Sequence, residues 1–396
     1  MRLPIVPILI MAIFCVAIDC YILRISKSRC FSRVPSKIQA WTAGLLYLMV
    51  GVAMCLPYRS GDDAMLRTIM WLLFSFFSVY AAKFLFVVFD LIASLPKLFN
   101  RKRFRWLSVA GAVGAVVLFL AMWWGAIVNR YRIQIREFDI PVENLPEAFD
   151  GMRIVQFSDL HTGTFGTDTA FVSQLVDRIN SLNGDVIVFT GDIVNRHSQE
   201  LVYHLAPLSR LDAPHGVYSI MGNHDYGDYS VWPSEEAKAE DVAKLEAMQR
   251  SIGWKLLLNE SDCLYADGDS IVIIGVENIG DPPFKVYGSL KDSYDSLADP
   301  TVKILLTHNP AHWSQEIAGS KDKKIDLTLS GHTHAMQMEV GGISPACFRY
   351  DTWGGLYNDS EGSHPLYVNI GVGTVGMPMR LGATPEITVL TLRKKK

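Results

Sequence analysis

The chain has 396 residues with a formal net charge of -3, and its composition changes sharply near residue 128. The sequence shows no basic patch typical of nucleic-acid binding, so no nucleic-acid partner is predicted. The six cysteines include no CxxC pair, which argues against a disulfide framework or a cysteine zinc site. One bridge between Cys263 and Cys347 stays open as an alternative to two free thiols.

Four apolar stretches near the N-terminus are each long enough to cross about 30 Å of hydrocarbon as a helix. They lie at 3–23, 38–57, 68–93 and 107–128. The first is predicted to be retained rather than cleaved as a signal peptide, because only Arg2 marks its leading end, no small-residue cleavage site follows and three more stretches come after. The sequence therefore predicts a four-helix transmembrane region over residues 1–130, with the lipid bilayer as a partner.

The Lys and Arg residues between these stretches predict an orientation. The first loop carries Arg24, Lys27, Arg29, Arg33 and Lys37, and the third carries Lys97, Arg101, Lys102, Arg103 and Arg105. Because cytoplasmic loops retain cations, both loops are predicted to be cytoplasmic, which leaves the N-terminus and everything after the fourth span outside. Arg130, Arg132 and Arg136, just past that span, oppose this orientation.

Three charged residues fall inside or near the ends of the spans, namely Asp19, Lys83 and Asp90. Charges at bilayer depth are costly and often functional. Each of the three lies toward one end of its span, so we interpret them as side chains that reach to the interface rather than as a transport or relay path.

After residue 130, apolar runs typical of strands alternate with helical spacing. The predicted strands are 153–157, 185–190, 217–221, 271–276, 303–307, 327–330, 366–370 and 387–392, the predicted helices are 168–182 and 234–252, and 141–149 is an irregular lead-in. This alternation predicts a layered α/β domain.

Asp, Asn and His residues follow five of these strands directly. The candidate metal ligands are Asp159, His161, Asp192, Asn223, His308, His332 and His334. In α/β sheets, ligands bind beyond the carboxyl ends of strands, so these side chains are expected to converge at one rim. Gly191, Gly222 and Gly331 precede three of them and would allow the backbone to turn tightly.

The mixture of imidazole and carboxylate ligands suits manganese, zinc or iron, whereas an all-oxygen set would suggest magnesium or calcium. The set has more ligands than one ion needs, so the sequence predicts two divalent metal ions. One carboxylate would then bridge them. Two such ions neutralise phosphoryl oxygens and acidify a bound water.

The order DxH, GD, GNHD, H and GHxH resembles the calcineurin-like metallophosphoesterase superfamily, and more narrowly its membrane-anchored bacterial branch. The resemblance spans nearly all of about 135–396. It implies a four-layer αββα sandwich over 133–396. It also implies one metal on Asp159, His161 and His334, a second on Asn223, His308 and His332, and Asp192 as the bridge. The branch usually reads GHTHGGQ, but here Ala335 and Met336 occupy the Gly positions before Gln337.

The resemblance further implies that His224 protonates or stabilises the leaving-group oxygen, with Asp225 orienting its imidazole. The expected reaction is hydrolysis of a phosphomonoester or phosphodiester by an extracytoplasmic domain of a bacterial inner or cell membrane protein. Lipid-linked and envelope-derived substrates are candidates. One alternative is a UDP-2,3-diacylglucosamine pyrophosphate hydrolase, although that substrate is handled at the cytoplasmic face. Another is a non-catalytic membrane protein that binds phosphorylated ligands.

The remaining polar and aromatic candidates have structural interpretations. His197, His204, His215, His312 and His364 lack a ligand context and are expected to be structural or surface residues, and Met336 and Met338 are expected to pack. Trp353 and Tyr357 are predicted to form an aromatic turn on the core rather than a substrate wall. Arg380 could meet a phosphate or form an ordinary salt bridge.

Overall fold

The computed structural model describes residues 5–29, 34–57, 62–294 and 301–395. The chain divides into two compact units, Met1–Ala126 and Ile127–Lys396. Residues 3 and 4 of the first predicted span, Arg33 of the first basic loop and residues 58–61 lie outside the described residues.

The first unit consists of apolar helices. They are α1 (Ile5–Arg29), α2 (Val34–Cys55), α3 (Asp63–Ser94) and α4 (Arg105–Ile127). The carboxylate of Asp62 accepts a hydrogen bond from the Met65 amide and so begins α3, which a short 3-10 segment prolongs to Phe99. Within the described residues, three helices are long and apolar enough to cross a membrane, Val34–Cys55, Asp63–Phe99 and Arg105–Tyr131. Three of the four predicted spans are therefore found among the described helices, and α1 is not one of them.

Two acidic side chains of the first unit, Asp19 and Asp90, are buried. Asp19 is 5% exposed and accepts four hydrogen bonds, from Gln39 Nε2, Tyr47 Oη, Tyr80 Oη and Lys83 Nζ. Asp90 is fully buried and accepts from Tyr21 Oη at 2.7 Å and Arg103 Nη2 at 2.9 Å. The prediction that these side chains reach to the interface was wrong. They pair with donors on other helices and with Arg103 on the segment before α4, because satisfying a buried charge inside the bundle avoids exposing it to hydrocarbon.

The described residues of the second unit form two six-stranded mixed sheets and four α-helices. The strands are β1 (Gln134–Val142), β2 (Arg153–Phe157), β3 (Val186–Phe189), β4 (Val217–Ser219), β5 (Lys255–Leu256), β6 (Glu260–Ala266), β7 (Asp269–Gly275), β8 (Lys303–Leu306), β9 (Leu327–Ser330), β10 (Gly355–Tyr357), β11 (Leu366–Val368) and β12 (Glu386–Lys394). The helices are α5 (Ala170–Asn180), α6 (Leu205–Leu208), α7 (Glu235–Ser251) and α8 (Leu290–Tyr294).

The strand order is β1-β12-β2-β3-β4-β5 in the first sheet and β10-β11-β9-β8-β7-β6 in the second. The run β2-β3-β4-β5 is parallel, as is the run β11-β9-β8-β7. The strands that precede the candidate ligands all belong to these two parallel runs. Their carboxyl ends therefore point to the same rim within each sheet.

Apolar side chains hold the two sheets face to face. Ile154, Val188 and Tyr218 of the first sheet join Ile273, Leu306 and others of the second in one buried cluster. A second cluster packs the outer face of the first sheet against α5 and α7, where α5 contributes a stripe that repeats every three to four residues. A third covers the outer face of the second sheet with α8 and a π-helical turn, Trp313–Ile317. The unit is an α/β sandwich whose last helical layer is made of short segments.

The predicted strands agree with the structure, and β2 and β9 agree end for end. Strands β1, β5, β6 and β10 were not predicted, and β1 includes the first residues of the predicted irregular lead-in. Its Pro141 is tolerated because β1 is an edge strand. Cys263 and Cys347 are both free thiols, so no bridge joins them.

Candidate metal centre

Six of the seven predicted ligands form two buried groups at the strand ends. The first group is Asp159, His161 and His334, and the second is Asp192, His308 and His332. In each group the potential ligand atoms lie within 4.8 Å of one another. Residues from β2, β3, β8 and β9 contribute, so both sheets supply the rim.

Asp192 lies between the two groups. Its Oδ2 is 3.2 Å from His308 Nε2 and 3.6 Å from His161 Nε2, which belongs to the other group. Within the groups, His334 Nε2 lies 3.2 Å from Asp159 Oδ1, and His308 Nε2 lies 3.3 Å from His332 Nδ1. A carboxylate that reaches both groups has the position expected of a bridging ligand.

The seventh predicted ligand, Asn223, is 5% exposed. Its Nδ2 donates to Tyr229 Oη at 2.8 Å, whereas its buried Oδ1 accepts no hydrogen bond within the described chain. A buried carbonyl without a donor is unfavourable unless something else satisfies it. An oxygen ligand to a cation would satisfy Asn223 Oδ1 in this way.

Backbone carbonyls orient two of the ligand imidazoles, and a tyrosine hydroxyl lies beside a third. His161 Nδ1 lies 3.2 Å from Val194 O, and His308 Nδ1 lies 2.8 Å from Thr190 O. Because a carbonyl only accepts, each Nδ1 carries the proton and each Nε2 keeps its lone pair toward the site. His332 has the opposite orientation, with Nε2 near Tyr350 Oη at 3.2 Å and Nδ1 toward the site.

The site backbone is strained. Among the candidate ligands, Asp159, His161, Asp192, His332 and His334 all have positive φ, between 49° and 76°. A non-glycine residue in this region costs about 1 kcal/mol or more, and such residues concentrate at functional sites. Gly191 also has positive φ, at 94°. Gly222 and Gly331 do not, and are needed for space instead, because an added Cβ would collide with the Asp192 carboxylate or with Ser158.

The charged groups of the site shift one another's pKa values. Burial alone would raise the pKa values of Asp159 and Asp192, but the neighbouring histidines outweigh burial and lower both. Burial alone would lower the pKa of His308, but the Asp192 carboxylate outweighs it and raises that pKa to about 9. Burial, and then the charge of His308, lowers the pKa of His332 to about 3. The centre is therefore an anionic pair of carboxylates surrounded by imidazoles.

The predicted catalytic pair is arranged differently from the expectation. His224 Nδ1 contacts Asn195 O at 2.7 Å, so a backbone carbonyl, not Asp225, orients the imidazole. Asp225 instead accepts from the amides of Asp192, Ile193, Val194 and Gly222. Burial, and then the charge of Asp192, raises the pKa of Asp225 to about 7. Asp225 thus fixes the loops that present Asp192 and Asn223.

Sequence reasoning missed Tyr229 and misjudged Arg380. The ring of Tyr229 stacks on His224 with centroids 4.1 Å apart, while its hydroxyl accepts from Asn223. Arg380 is fully buried, donates to three backbone carbonyls and lies 3.1 Å from His334 Nδ1, so its guanidinium contacts the protein interior rather than solvent, and none of these partners is a carboxylate. Tyr229 follows the GNHD motif by four positions, but a tyrosine at that spacing has no local signature.

Other side-chain interpretations were mostly confirmed. His204, His312 and His364 are buried and contact Gly166 O, Glu316 and Asp359, away from the two groups. Trp353 packs on Ala335, Ile370 and Ala383, as predicted for a turn on the core. Met336 does not pack as predicted, since it is 43% exposed.

Comparison with known proteins agrees with this geometry. Residues 152–336 match the family described as "Calcineurin-like phosphoesterase", and residues 1–130 match that described as "Probable Calcineurin-like phosphoesterase, transmembrane domain". The metallophosphoesterase YkuE of Bacillus subtilis, described as uncharacterized, is 31% identical over 311 residues, which cover 76% of this chain and 99% of that protein.

Two further relatives differ in organism and description. A zebrafish (Danio rerio) transmembrane protein with metallophosphoesterase domain is 29% identical over 390 residues, 94% of this chain and 85% of that protein. The UDP-2,3-diacylglucosamine pyrophosphatase LpxG of Chlamydia trachomatis is 30% identical over 304 residues, 62% of this chain and 86% of that protein. Similarity thus extends from bacteria to eukaryotes. With its strand-end histidines and carboxylates and its apolar N-terminal helices, this chain belongs to the calcineurin-like metallophosphoesterases, hydrolases of phosphoester bonds, and is a membrane protein.

Proposed function

We propose that the chain hydrolyses a phosphomonoester or phosphodiester with two divalent metal ions, manganese, zinc or iron. The observation that carries this proposal is Asp192, whose Oδ2 approaches a histidine of each buried group. One ion would bind Asp159, His161 and His334, and the other would bind Asn223, His308 and His332. Asp192 would bridge them.

The donor set fits such ions. Mixed imidazole and carboxylate ligands suit transition metals, and the partnerless Asn223 Oδ1 supplies a further oxygen. When bound, two cations supply charge neutralisation of the phosphoryl oxygens and activation of a water. Val194 O and Thr190 O accept hydrogen bonds from Nδ1 of His161 and His308, so Nε2 of each ring faces the site.

His224 is the proposed general acid. Its Nδ1–H donates to Asn195 O, which leaves Nε2 to give a proton to the departing oxygen. The stacked Tyr229 ring limits rotation of the imidazole. Asp225 acts indirectly, because its four amide contacts hold the loops around Asp192 rather than the acid itself.

For the membrane region we propose four spans over 1–130, with the phosphoesterase domain of 133–396 outside the cytoplasm of a bacterial cell. The transmembrane family match includes α1, which supports the fourth span. The two basic loops support the orientation, because cations are retained on the cytoplasmic side. A reporter fused after Lys396 should be active only outside the cytoplasm, and activity inside would reverse the orientation.

A second candidate function is pyrophosphate hydrolysis of a UDP-linked diacylglucosamine. The observation that favours it is the 30% identity to a pyrophosphatase of that substrate. It would require the domain to face the cytoplasm, so the reporter experiment also discriminates between these two functions.

The enzyme hypothesis is tested with the full chain in lipid nanodiscs, metal-free or loaded with manganese. An aryl phosphate and an aryl phosphodiester are the probes. We expect turnover of at least one ester by the loaded protein and none by the metal-free protein. A folded, metal-replete chain that turns over neither ester would favour a non-catalytic, phospho-ligand-binding role.

A further inference from the structure

Exposed apolar side chains are concentrated in the loop that follows the metal ligands. Met336, Val340, Ile343 and Phe348, here called the apolar rim, lie within residues 336–348 and are 43%, 71%, 68% and 91% exposed. Contiguous exposed apolar patches are rare on soluble proteins, and they mark binding surfaces. The two Gly residues between Val340 and Ile343 form the tip of a tight turn closed by a backbone hydrogen bond.

Hydrogen bonds hold both ends of the loop that carries the apolar rim close to residues of the metal centre. Near its start, Ala335 O accepts from Ser344 Oγ at 2.5 Å, and Ala335 follows the ligand His334 directly. Near its end, Tyr350 Oη lies 3.2 Å from Nε2 of the ligand His332. The apolar rim is therefore continuous with the wall of the site.

Backbone strain sets Met336 apart. Ala335, Met336 and Gln337 have φ values of 50°, 46° and 58°, a conformation that glycine adopts without cost. Ala335 and Gln337 are buried and make contacts that offset the strain, as Ala335 packs on Ile370 and Gln337 donates to two carbonyls. Met336 is strained and also exposed, so packing within the fold does not account for a large side chain at this position.

We propose that the apolar rim binds the hydrocarbon part of the substrate, so that the substrate is a lipid phosphoester. The inference rests on the proposed function and deepens it. With phosphorus at the two metal groups, on this proposal the ester substituent points toward the loop that follows His334. Each methylene that moves from water onto such a surface and is fully buried strengthens binding about fourfold. A chain of a few carbons is therefore enough for the enzyme to prefer a lipid over the same ester without a chain.

The reaction is a balanced hydrolysis. Water adds its oxygen to phosphorus, and the bond from phosphorus to the lipid oxygen breaks. The proton from His224 goes to that oxygen, so the lipid alcohol leaves along the apolar rim, and the proton lost by water restores the acid. The transmembrane region keeps the enzyme in the bilayer, where such lipids dissolve.

The test compares substrates with and without a chain, using the full chain loaded with manganese in nanodiscs. The probes are glycerol 3-phosphate and dihexanoyl phosphatidate below its micellar concentration. If the aryl assays show only diester turnover, glycerophosphoglycerol and dihexanoyl phosphatidylglycerol replace them. We expect kcat/KM to be at least about tenfold higher for the chain-bearing probe, from a few buried methylenes. Equal values would overturn the proposal.

Variants of the apolar rim assign the selectivity to these residues. Phe348→Ser, Val340→Ser and Met336→Gly should each lower the ratio of the two kcat/KM values, and the triple variant should bring it near one. Met336→Gly should also raise the thermal midpoint, because it relieves strain. The control is Tyr265→Ser, a 71% exposed aromatic residue on β6, which should leave the ratio unchanged.

Other outcomes have definite meanings. Variants that keep the ratio for monomeric probes but lose turnover of vesicle lipid would assign the apolar rim to bilayer contact and overturn substrate binding. Aryl turnover without any chain preference would end this inference and leave the proposed function standing. No aryl turnover by the wild-type chain would end both.

Discussion

Both units of the molecule bury charged residues, but they satisfy them differently. In the membrane unit, Asp19 accepts four hydrogen bonds, including one from Lys83, and Asp90 accepts from Tyr21 and Arg103. In the catalytic unit, the buried groups face one another. His161 Nε2 lies 3.0 Å from His334 Nε2, and Asn223 Oδ1 has no hydrogen-bond donor in the described chain.

The difference distinguishes charged groups that stabilise the fold from polar and charged groups that are available to bind a cation. A carboxylate whose lone pairs are all used by donors fixes helices, because moving any partner leaves a buried charge uncompensated. The lone pairs that converge at His161 Nε2, His334 Nε2 and Asn223 Oδ1 remain available to a cation, and the surrounding fold holds several of the candidate ligands on a strained backbone. Four single substitutions test this contrast between the two units.

Asp192→Asn should abolish turnover, because the amide is a weaker ligand and removes the charge shared by both groups. Metal content measured by mass spectrometry should fall below two ions per chain. The metal-free variant should unfold close to the wild-type midpoint, since an amide oxygen can still accept from the His224 amide. Retention of two ions would contradict the bridging role.

His224→Ala should keep both metals and lower kcat by about 10²–10⁴-fold, the usual contribution of a general acid. The loss should be greater for an alkyl phosphate than for an aryl phosphate, because the aryl leaving group needs less protonation. His215→Ala is the control for a histidine outside the site. An equal loss for both leaving groups would remove the assignment of the acid.

Asp19→Asn should leave metal content unchanged but destabilise the membrane unit by about 3–5 kcal/mol, because the buried Lys83 loses its counter-charge. Unfolding in mixed detergent and SDS micelles, followed by the loss of helical circular dichroism, measures the effect. The double variant with Lys83→Met should recover most of the stability. If metal content fell with the single variant, the contrast between the two units would fail.

Tyr229→Phe should weaken binding of the second ion by about 10-fold to 100-fold, the range expected for a residue that orients a ligand. The phenylalanine keeps the stack on His224 but loses the hydroxyl that accepts from Asn223. Tyr226→Phe is a matched control, because that hydroxyl donates to Glu277 instead. Equal metal affinity in both variants would show that Tyr229 does not orient Asn223.

The local patterns of the sequence predicted the strands that carry the site. Buried runs such as Arg153–Phe157 and Leu327–Ser330 are recognisable because a strand covered on both faces is continuously apolar. The candidate ligands lie directly after these strands. Because parallel strands present their carboxyl ends at one rim, the same pattern also predicts which residues form the site. Strand β1 was missed because its partner, β12, lies about 250 residues away in sequence and its own pattern includes Pro141.

The family chemistry can be predicted from residue types and spacings alone, because the ligand motifs are local. Long-range packing sets what each polar group contacts. It gave His224 the carbonyl of Asn195 rather than Asp225, and it gave Asp19 a buried partner in Lys83. It also exposed Met336 on a strained backbone beside the site. Hydrogen bonds and burial of this kind join residues far apart in the chain, so no local pattern encodes them.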